Sequence, residues 1–373
     1  MAAHCIGLMS GSSLDGVDGV IVRLAEGSAL PQLVDHAHHP LPSPLAVQLL
    51  ALNQSGCNEL HRAALAANAL MRLYADVVGQ LLSRFYPGAA HITAIGAHGQ
   101  TVRHQPQMHD GTGYTLQLAN PALLAELTGI TVVADFRSRD VAAGGQGAPL
   151  VPVFHQSVFG RSGQTTAVLN IGGIANLTVI GPQLADDLIG FDCGPGNVLM
   201  DNWCQRHFGH PFDKDGHLAA TGRVVADLLS ALLTDPFFAR RPPKSTGRDL
   251  FNPDWLARHL ATFADQPPVN VLTTLAELSA SACAASLLQH APDSRLLIVC
   301  GGGALNAHLM QRIQALLPGV VVASSQAHGI APMQVEAAAF AWLAHQAIGR
   351  VPCRLQNVTG SRGPRVLGAI YPA

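Results

Sequence analysis

The chain has 373 residues, of which 48% are hydrophobic and 12% are charged, which excludes a disordered protein and allows two domains with sizeable cores. Its net charge of −2, without any basic run, argues against nucleic acid as the main partner. The seven cysteines are widely spaced and form no Cys-x-x-Cys pair, which favours a reducing compartment. No signal peptide or uncharged stretch of membrane-spanning length is recognised, so we expect a cytoplasmic protein without a membrane partner.

The first predicted element is a β-hairpin with a polar tip. Two apolar runs, residues 5–9 and 20–22, flank residues 11–18, which read Gly-Ser-Ser-Leu-Asp-Gly-Val-Asp. Such a tip concentrates backbone N–H groups, hydroxyls and carboxylates, which are the groups that hold a polyphosphate and its magnesium. An ordinary turn is the alternative, because Asp-Gly alone is a strong turn signal. This stretch alone favours the ordinary turn.

The remainder of the first half predicts an α/β unit with a mixed sheet. Its elements are expected in the order strand, helix, strand, strand, helix, strand. They cover residues 32–34, 59–85, 91–95, 115–119, 121–128 and 130–135. The neighbouring histidines His36, His38 and His39 are interpreted as a solvated strand edge, since no carboxylate pattern for a metal accompanies them.

The second half repeats this plan. A hairpin over residues 166–180 has a Gly-rich tip, and a third strand at residues 188–191 leads into a helix near residue 198. Later elements are predicted at residues 274–290, 296–300, 320–323 and 334–348. We therefore predict a lobe of residues 1–160, onto which residues 349–373 pack back, and a lobe of residues 161–348 with an insertion at about 209–268. A duplicated unit of this kind is expected to bind ligands in a central cleft.

Three Gly-rich loops at strand ends are the candidate nucleotide-binding elements. Besides residues 11–18, they contain Gly172, Gly173 and Asn176 in the second hairpin, and Gly301, Gly302 and Gly303 before a helix. Glycines let backbone N–H groups approach phosphate oxygens closely. The P-loop, the dinucleotide fingerprint and the G-x-S-x-G elbow are not found.

Asp192 is the best candidate for a catalytic carboxylate. Phosphoryl transfer needs a carboxylate that orients or deprotonates the attacking oxygen, and Asp192 ends a strand just before Gly-Pro-Gly and a helix. The alternative is a simple helix cap. Asp15 and Asp18 compete for the magnesium role, and the sequence does not choose between them. Arg137, at another strand end, suits a substrate carboxylate.

Segments spread over nearly the whole chain resemble the signature of the anhydro-N-acetylmuramic acid kinase family, in the same order. They are residues 8–18, 98–102, 134–137, 170–176, 191–197, 244–248, 301–303 and 333–337. The resemblance implies duplicated actin-like ATPase (ribonuclease H-like) domains of α/β class. It also implies ATP-dependent opening of the 1,6-anhydro ring with phosphorylation of O6, in the recycling of peptidoglycan.

The resemblance further implies roles for individual residues. Asp192 is the general base that activates water, Thr101, Arg137 and Glu336 line the sugar site, and Asp15 and Asp18 support Mg²⁺ through water. ATP phosphates are bound by Gly11, Ser12, Ser13, Leu14, Asp15, Gly16, Val17 and Asp18. The substrates are ATP and an amino sugar, and a homodimer is expected. Ser12 and Cys193 stand where threonine is usual in the family, which leaves the role of Cys193 open.

Two other functions remain as alternatives. One is a sugar kinase in which Asp192 deprotonates an ordinary hydroxyl group. The other is a nucleotide-switched binding protein of the actin or chaperone type, which would hydrolyse ATP slowly without sugar and would carry a peptide-binding domain. No such domain is evident in the sequence.

Overall fold

The computed structural model describes residues 2–11, 13–24, 31–184, 187–248 and 250–373. The elements of the structure include the predicted strands and helices and several additional short ones. In the first part they are β1 (Ala3–Met9), β2 (Gly16–Leu24), β3 (Gln32–Pro40), α1 (Ser43–Ala51), α2 (Glu59–Arg84), β4 (Ile92–Ala97), β5 (Gln100–Pro106), β6 (Gly113–Leu118), α3 (Pro121–Thr128), β7 (Val132–Ala134), α4 (Ser138–Ala142) and α5 (Pro152–Phe159).

The later elements include five α-helices between the third and fourth strands of the second half. They are β8 (Thr166–Ile171), β9 (Ile174–Ile180), β10 (Leu188–Pro195), α6 (Val198–Phe208), α7 (Ala226–Leu233), α8 (Pro236–Ala239), α9 (Pro253–Leu260), α10 (Pro268–His290), β11 (Leu296–Cys300), α11 (Ala307–Leu316), β12 (Val321–Ser324), α12 (Val335–Ile348), α13 (Gln356–Thr359) and β13 (Ala369–Tyr371).

The chain forms two compact units, and their sheets share one plan. The first unit comprises Met1–Val158 with Gln334–Ala373, and the second comprises Phe159–Met333. The strand orders are β3-β2-β1-β4-β7-β13 and β10-β9-β8-β11-β12. In each sheet three antiparallel strands are followed by two parallel ones, and in the first sheet β13 adds a sixth strand antiparallel to β7. The predicted duplicated α/β fold of actin-like type is therefore confirmed.

Helix α12 packs directly on the sheet of the first unit, where two glycines make room for it. A Cβ atom at Gly7 would lie 1.8 Å from the carbonyl oxygen of Ala337, and one at Gly96 would lie 2.0 Å from that of Phe340. The sequence prediction counted residues 334–348 with the second lobe. The apolar pattern identifies this helix, but it cannot indicate which sheet the helix covers.

Helix α10 is the central helix of the second unit. It is long and apolar enough to cross a membrane, but 83% of its most apolar window is buried inside the protein. Its side chains Leu272, Leu275 and Leu278 are at most 1% exposed and belong to the core of the second unit. Burial of this kind is typical of a core helix, because a membrane-spanning helix would present these side chains to lipid.

Candidate active site

The first glycine loop is a turn held by the carboxylate of Asp15. Its Oδ1 accepts hydrogen bonds from the Ser13 hydroxyl at 2.6 Å and from the Gly16 N–H at 3.0 Å. The N–H of Leu14, a residue with φ of 58°, donates to the Gly11 carbonyl at 3.2 Å. Ser12 lies outside the described residues. Three hydrogen bonds therefore connect the described residues of this turn, and the one between Leu14 and Gly11 spans Ser12.

Residues 16–18 belong to strand β2 and not to the loop, which corrects the predicted extent of the hairpin tip. The Val17 side chain is fully buried. A Cβ at Gly16 would lie 2.3 Å from the imidazole of His38 on β3, which explains the glycine by packing. Side chains alternate across a strand, so only part of this stretch can face a ligand.

Asp18 pairs with His38, one of the three histidines predicted to lie on a solvated strand edge. Its Oδ1 lies 2.9 Å from His38 Nδ1, across the β2–β3 ladder. Burial raises the pKa of Asp18, although the hydrogen bond to His38 opposes the rise. Asp15 and Asp18 each keep one carboxylate oxygen in a protein hydrogen bond. The second oxygen of each is of the type that Mg²⁺ prefers, directly or through water.

Two of the three predicted sugar-binding residues interact with each other. The Glu336 carboxylate attracts the Arg137 guanidinium, although burial lowers the pKa of Arg137 to about 10. Arg137 immediately precedes the short helix α4, and its Nη1 donates to the Gly147 carbonyl at 2.9 Å. Thr101 lies on the β5–β6 hairpin, where its hydroxyl oxygen accepts from Gln117 at 3.2 Å.

Asp192 lies on β10 at a bulge, and its carboxylate is held from one side. The register of the β9–β10 ladder shifts between Asp192 and Gly194. Oδ2 accepts a hydrogen bond from the backbone N–H of Thr246 at 2.9 Å. Burial raises the pKa of Asp192 to about 7, and the Thr246 N–H and the Lys244 charge act against that rise. A carboxylate with this pKa can exchange a proton near neutral pH.

The contacts of Asp192 come from the predicted insertion, and no role had been predicted for these residues. The Asp192 N–H donates to the Lys244 carbonyl at 3.1 Å. The Lys244 ammonium lies 4.7 Å from the centroid of the Phe237 ring. The hydroxyl oxygen of Thr246 is buried and has no hydrogen-bond partner among the described residues. Segment 244–248 matched the family signature, which was the only signal that could have identified this neighbourhood.

The glycines of the second unit differ in what surrounds them. A Cβ at Gly172 or Gly302 would meet no atom closer than 3.6 Å, whereas one at Gly301 or Gly303 would lie within 2.4 Å of protein atoms. Gly301 also has φ of 76° and donates its N–H to the Pro332 carbonyl. Packing therefore explains Gly301 and Gly303, while Gly172 and Gly302 leave space that a ligand can approach.

Asn176 connects this tip to Asp192. On β9 it lies opposite Asp192 of β10 on one side and Asn170 of β8 on the other. The Gly172 carbonyl accepts a hydrogen bond from the N–H of Asn197, the residue before α6, at 2.8 Å, and the Gly173 carbonyl accepts one from Val198, the first residue of α6, at 3.1 Å. The glycine tip, the base candidate and the start of α6 therefore form one connected cluster within the second unit.

The first testable prediction contrasts two neighbouring glycines. Gly302→Ala should fold normally but bind ATP about tenfold more weakly, because its methyl group occupies open space in the loop. Gly303→Ala is the matched control and should lose stability, since its Cβ would lie 2.3 Å from Ile171. ATP titration by calorimetry and thermal melting check both. Unchanged ATP affinity in Gly302→Ala would remove this loop from the nucleotide site.

The second prediction concerns pH. Asp192 is the predicted general base and must be deprotonated to act, so under that prediction kcat/KM should fall about tenfold for each pH unit below about 7 and should level off above it. Steady-state rates between pH 5 and pH 9 check this, with the ATP dissociation constant measured across the same range as the control. A flat profile through pH 6 would mean that another group sets the acid limb.

Each unit by itself has groups of the kind that a nucleotide and its metal ion need. In the second unit Gly172 and Gly302 leave open space, and in the first unit Asp15 and Asp18 have carboxylate oxygens. Among the residues that the structure describes, no group of three or more His, Cys, Asp or Glu side chains is placed to hold a metal directly. Mg²⁺ is usually bound by one or two carboxylates together with water and substrate phosphates, and the carboxylates of Asp15 and Asp18 are of that type.

The family model and the curated relatives agree on one family. The family model of anhydro-N-acetylmuramic acid kinase matches residues 3–373. The anhydro-N-acetylmuramic acid kinase of Albidiferax ferrireducens is 60% identical over 386 residues and covers 99% of both chains. That of Variovorax paradoxus is 60% identical over 371 residues and covers 99% of this chain and 98% of its own.

Solved structures are similar at lower identity. Component A of the Acidaminococcus fermentans (R)-2-hydroxyglutaryl-CoA dehydratase is 11% identical with a TM-score of 0.47, and covers 91% of this chain and 96% of its own. A glucokinase of the ROK family from Streptomyces griseus, in complex with glucose and AMPPNP, is 14% identical with a TM-score of 0.41, and covers 92% and 100%. The full-length match at 60% identity decides the family. The chain belongs to the anhydro-N-acetylmuramic acid kinase family.

Proposed function

We propose that the protein opens the 1,6-anhydro ring of anhydro-N-acetylmuramic acid by hydrolysis and phosphorylates O6 with ATP. The products are N-acetylmuramic acid 6-phosphate and ADP, in the recycling of peptidoglycan. The observation that carries the proposed mechanism is the carboxylate of Asp192. It is held by the Thr246 N–H and has a pKa of about 7, as a general base working at neutral pH requires.

In the proposed reaction Asp192 accepts a proton from a water molecule. Its Oδ2 is occupied by the Thr246 N–H, so the other oxygen takes the proton. The water oxygen forms a bond to the anomeric carbon while the bond from that carbon to O6 breaks. The released O6 then forms its bond to the γ-phosphorus of ATP, and ADP leaves. The electron pair of the broken bond remains on O6, so the attacking alkoxide needs no separate base.

We assign the ATP phosphates to the loop around Gly11, Ser13 and Asp15, and to the Gly172 and Gly302 loops. Their backbone N–H groups and open glycines are suited to phosphate oxygens. Mg²⁺, when bound, neutralises charge on the β- and γ-phosphates. Asp15 and Asp18 would hold it through water, and the Asp18–His38 contact of 2.9 Å fixes the orientation of that carboxylate.

We assign the sugar to Arg137, Glu336 and Thr101. Arg137→Met should raise the KM for the anhydrosugar about 10- to 100-fold, since a charge-assisted hydrogen bond contributes roughly 1.5–3 kcal/mol. The KM for ATP should not change, and it is measured in the same assay. Arg139→Met is the matched control, because Arg139 is exposed on the same short helix. Equal KM values for wild type and Arg137→Met would remove Arg137 from the sugar site.

The proposed function is tested by ADP release in the presence of ATP, Mg²⁺ and anhydro-N-acetylmuramic acid. Stimulation by the anhydrosugar is expected, and its absence would refute the proposal. In oxygen-labelled water the label should enter the anomeric hydroxyl. ADP release without that label would instead support an ordinary sugar kinase, and slow ADP release that ignores the sugar would support a nucleotide-switched binding protein.

We further propose a cytoplasmic homodimer that binds neither nucleic acid nor membranes. The seven cysteines are all free, and six of them are buried, which suits a reducing compartment. The dimer rests on the family resemblance alone. Sedimentation equilibrium at micromolar concentration should give twice the chain mass of 39.0 kDa, and a single species of that chain mass would contradict it.

A further inference from the structure

His98 is the closest polar partner of Arg137. The Nε and Nη2 atoms of Arg137 lie 3.1 Å and 3.0 Å from the same ring nitrogen, His98 Nε2. A guanidinium has donors only, so this nitrogen must be the acceptor. In a neutral imidazole the proton is then on Nδ1. A protonated His98 could not make this contact, because both of its ring nitrogens would carry hydrogen.

The surroundings of His98 keep the ring neutral and in place. The side chain is 5% exposed, and its ring centroid lies 4.7 Å from that of Phe340 on α12. Burial, and then the charge of Arg137, lower the pKa of His98 well below its usual value. The backbone N–H of His98 donates to the Leu8 carbonyl at 3.0 Å, which holds the main chain at this residue. The contacts with Phe340 and Arg137 therefore hold the ring, and its lowered pKa favours the neutral form that can accept from Arg137.

The segment that carries His98 is also tied to the first glycine loop. The Ser10 hydroxyl donates to the Gly99 carbonyl at 3.2 Å, and the Gln100 side chain donates to the Gly11 carbonyl at 3.1 Å. The three-residue segment 98–100 thus contacts the proposed phosphate loop on one side and Arg137 on the other. The position of segment 98–100 therefore depends on its contacts with the loop and with Arg137.

From this geometry we infer that His98 is a positioning residue for the sugar site, which fixes the guanidinium of Arg137 in the plane that binds substrate. His98 and the Gly147 carbonyl together take three of the five N–H groups of Arg137. They lie on two sides of the guanidinium and prevent its rotation. Pre-organisation of this kind strengthens binding, because less conformational freedom is lost when the substrate arrives. The inference rests on the proposed role of Arg137.

Two neutral amide substitutions test it. His98→Gln places an acceptor near the position of Nε2, whereas the shorter His98→Asn reaches only the position of Nδ1. We expect His98→Asn to raise the KM for the anhydrosugar about tenfold and His98→Gln to stay within about threefold of wild type. The KM for ATP should be unchanged in both. Equal sugar KM values in the two variants would overturn the inference.

A double-mutant cycle separates this inference from the proposed role of Arg137. In the Arg137→Met background, His98→Asn should have no further effect on the sugar KM, because the partner that it positions is gone. A tenfold effect that persists there would show that His98 acts by another route. If Arg137→Met alone has no effect, the proposed role of Arg137 fails, and this result is distinct from failure of the positioning role.

A readout without turnover completes the test. In protein labelled with ¹⁵N arginine, the Nε–H signal of Arg137 should exchange slowly with solvent in wild type and in His98→Gln. It should exchange at least tenfold faster in His98→Asn. Thermal melting of both variants establishes that they are folded. Equal exchange rates in all three proteins would mean that His98 does not hold Arg137, whatever the activity.

Discussion

We expect Asp192→Asn to lower kcat about 10³-fold while the dissociation constant for ATP stays within twofold of wild type. The amide retains the oxygen that accepts the Thr246 N–H at 2.9 Å, so the loop geometry is preserved. It cannot accept a proton from water, and general-base catalysis contributes about 10²–10⁴-fold. Single-turnover ADP formation and calorimetric ATP titration measure the two effects.

The matched control is Asp227→Asn, the same change at an exposed position in the first turn of α7 of the same unit. It should leave kcat unchanged. Wild-type turnover in Asp192→Asn would assign the base to another residue. A loss of ATP binding in that variant would instead indicate that Asp192 supports the nucleotide site.

Stability provides a second readout of Asp192. Its pKa in the folded protein is about 7, above the ordinary value of 3.8, so ionisation destabilises the folded state as the pH rises from about 4 to 7. Asp192→Asn removes that cost. The Tm of Asp192→Asn should therefore equal that of wild type at pH 4 and exceed it at pH 8. The difference between the two Tm values should stop growing above pH 7. A lower Tm at pH 8 would show that the carboxylate stabilises the fold.

Gly96→Ala should lower the free energy of unfolding by about 3–5 kcal/mol, the range of the most disruptive single substitutions. The added Cβ would lie 2.0 Å from the carbonyl oxygen of Phe340 on α12. The clash is between the backbone of β4 and the backbone of α12, and neither can rotate away as a flexible side chain could. The helix must therefore move off the sheet. Urea unfolding measures this loss of unfolding free energy. The two proteins are compared only if their m-values are equal.

Gly79→Ala is the matched control for this prediction. Gly79 is exposed within α2, and no atom lies within 4 Å of its added Cβ. In an exposed helix alanine is favoured over glycine by about 1 kcal/mol, so this variant should be more stable than wild type. A Gly96→Ala variant as stable as Gly79→Ala would mean that α12 tolerates displacement from the sheet.

Local sequence patterns predicted much of the fold. Strand β11 was predicted at its observed bounds, and α2 and α3 were predicted to within a residue, because their apolar periods and flanking glycines are strong. Strands β3 and β10 run further than predicted. They continue through residues such as His38 and Asp192 that are polar but still take part in the ladder.

Long-range pairings account for the features that the sequence did not reveal. Thr246 holds Asp192 from 54 positions away, and no local pattern encodes such a contact. Arg137 and His98 were both within segments that matched the family signature, yet their mutual contact across 39 positions became visible only in the fold. Burial is also invisible in a local motif. Val17 lies in the segment 11–18 that was predicted to bind ATP phosphates, but its side chain packs in the core.

The return of the chain to the first unit at Gln334 has a consequence for biosynthesis. A ribosome adds about 5–20 residues per second, so roughly 10–35 s separate the emergence of Val158 from that of α12. During this interval the sheet face at Gly7 and Gly96 lacks its covering helix. A nascent chain stalled before residue 334 therefore exposes apolar strands, which are ligands for chaperones and nuclei for aggregation.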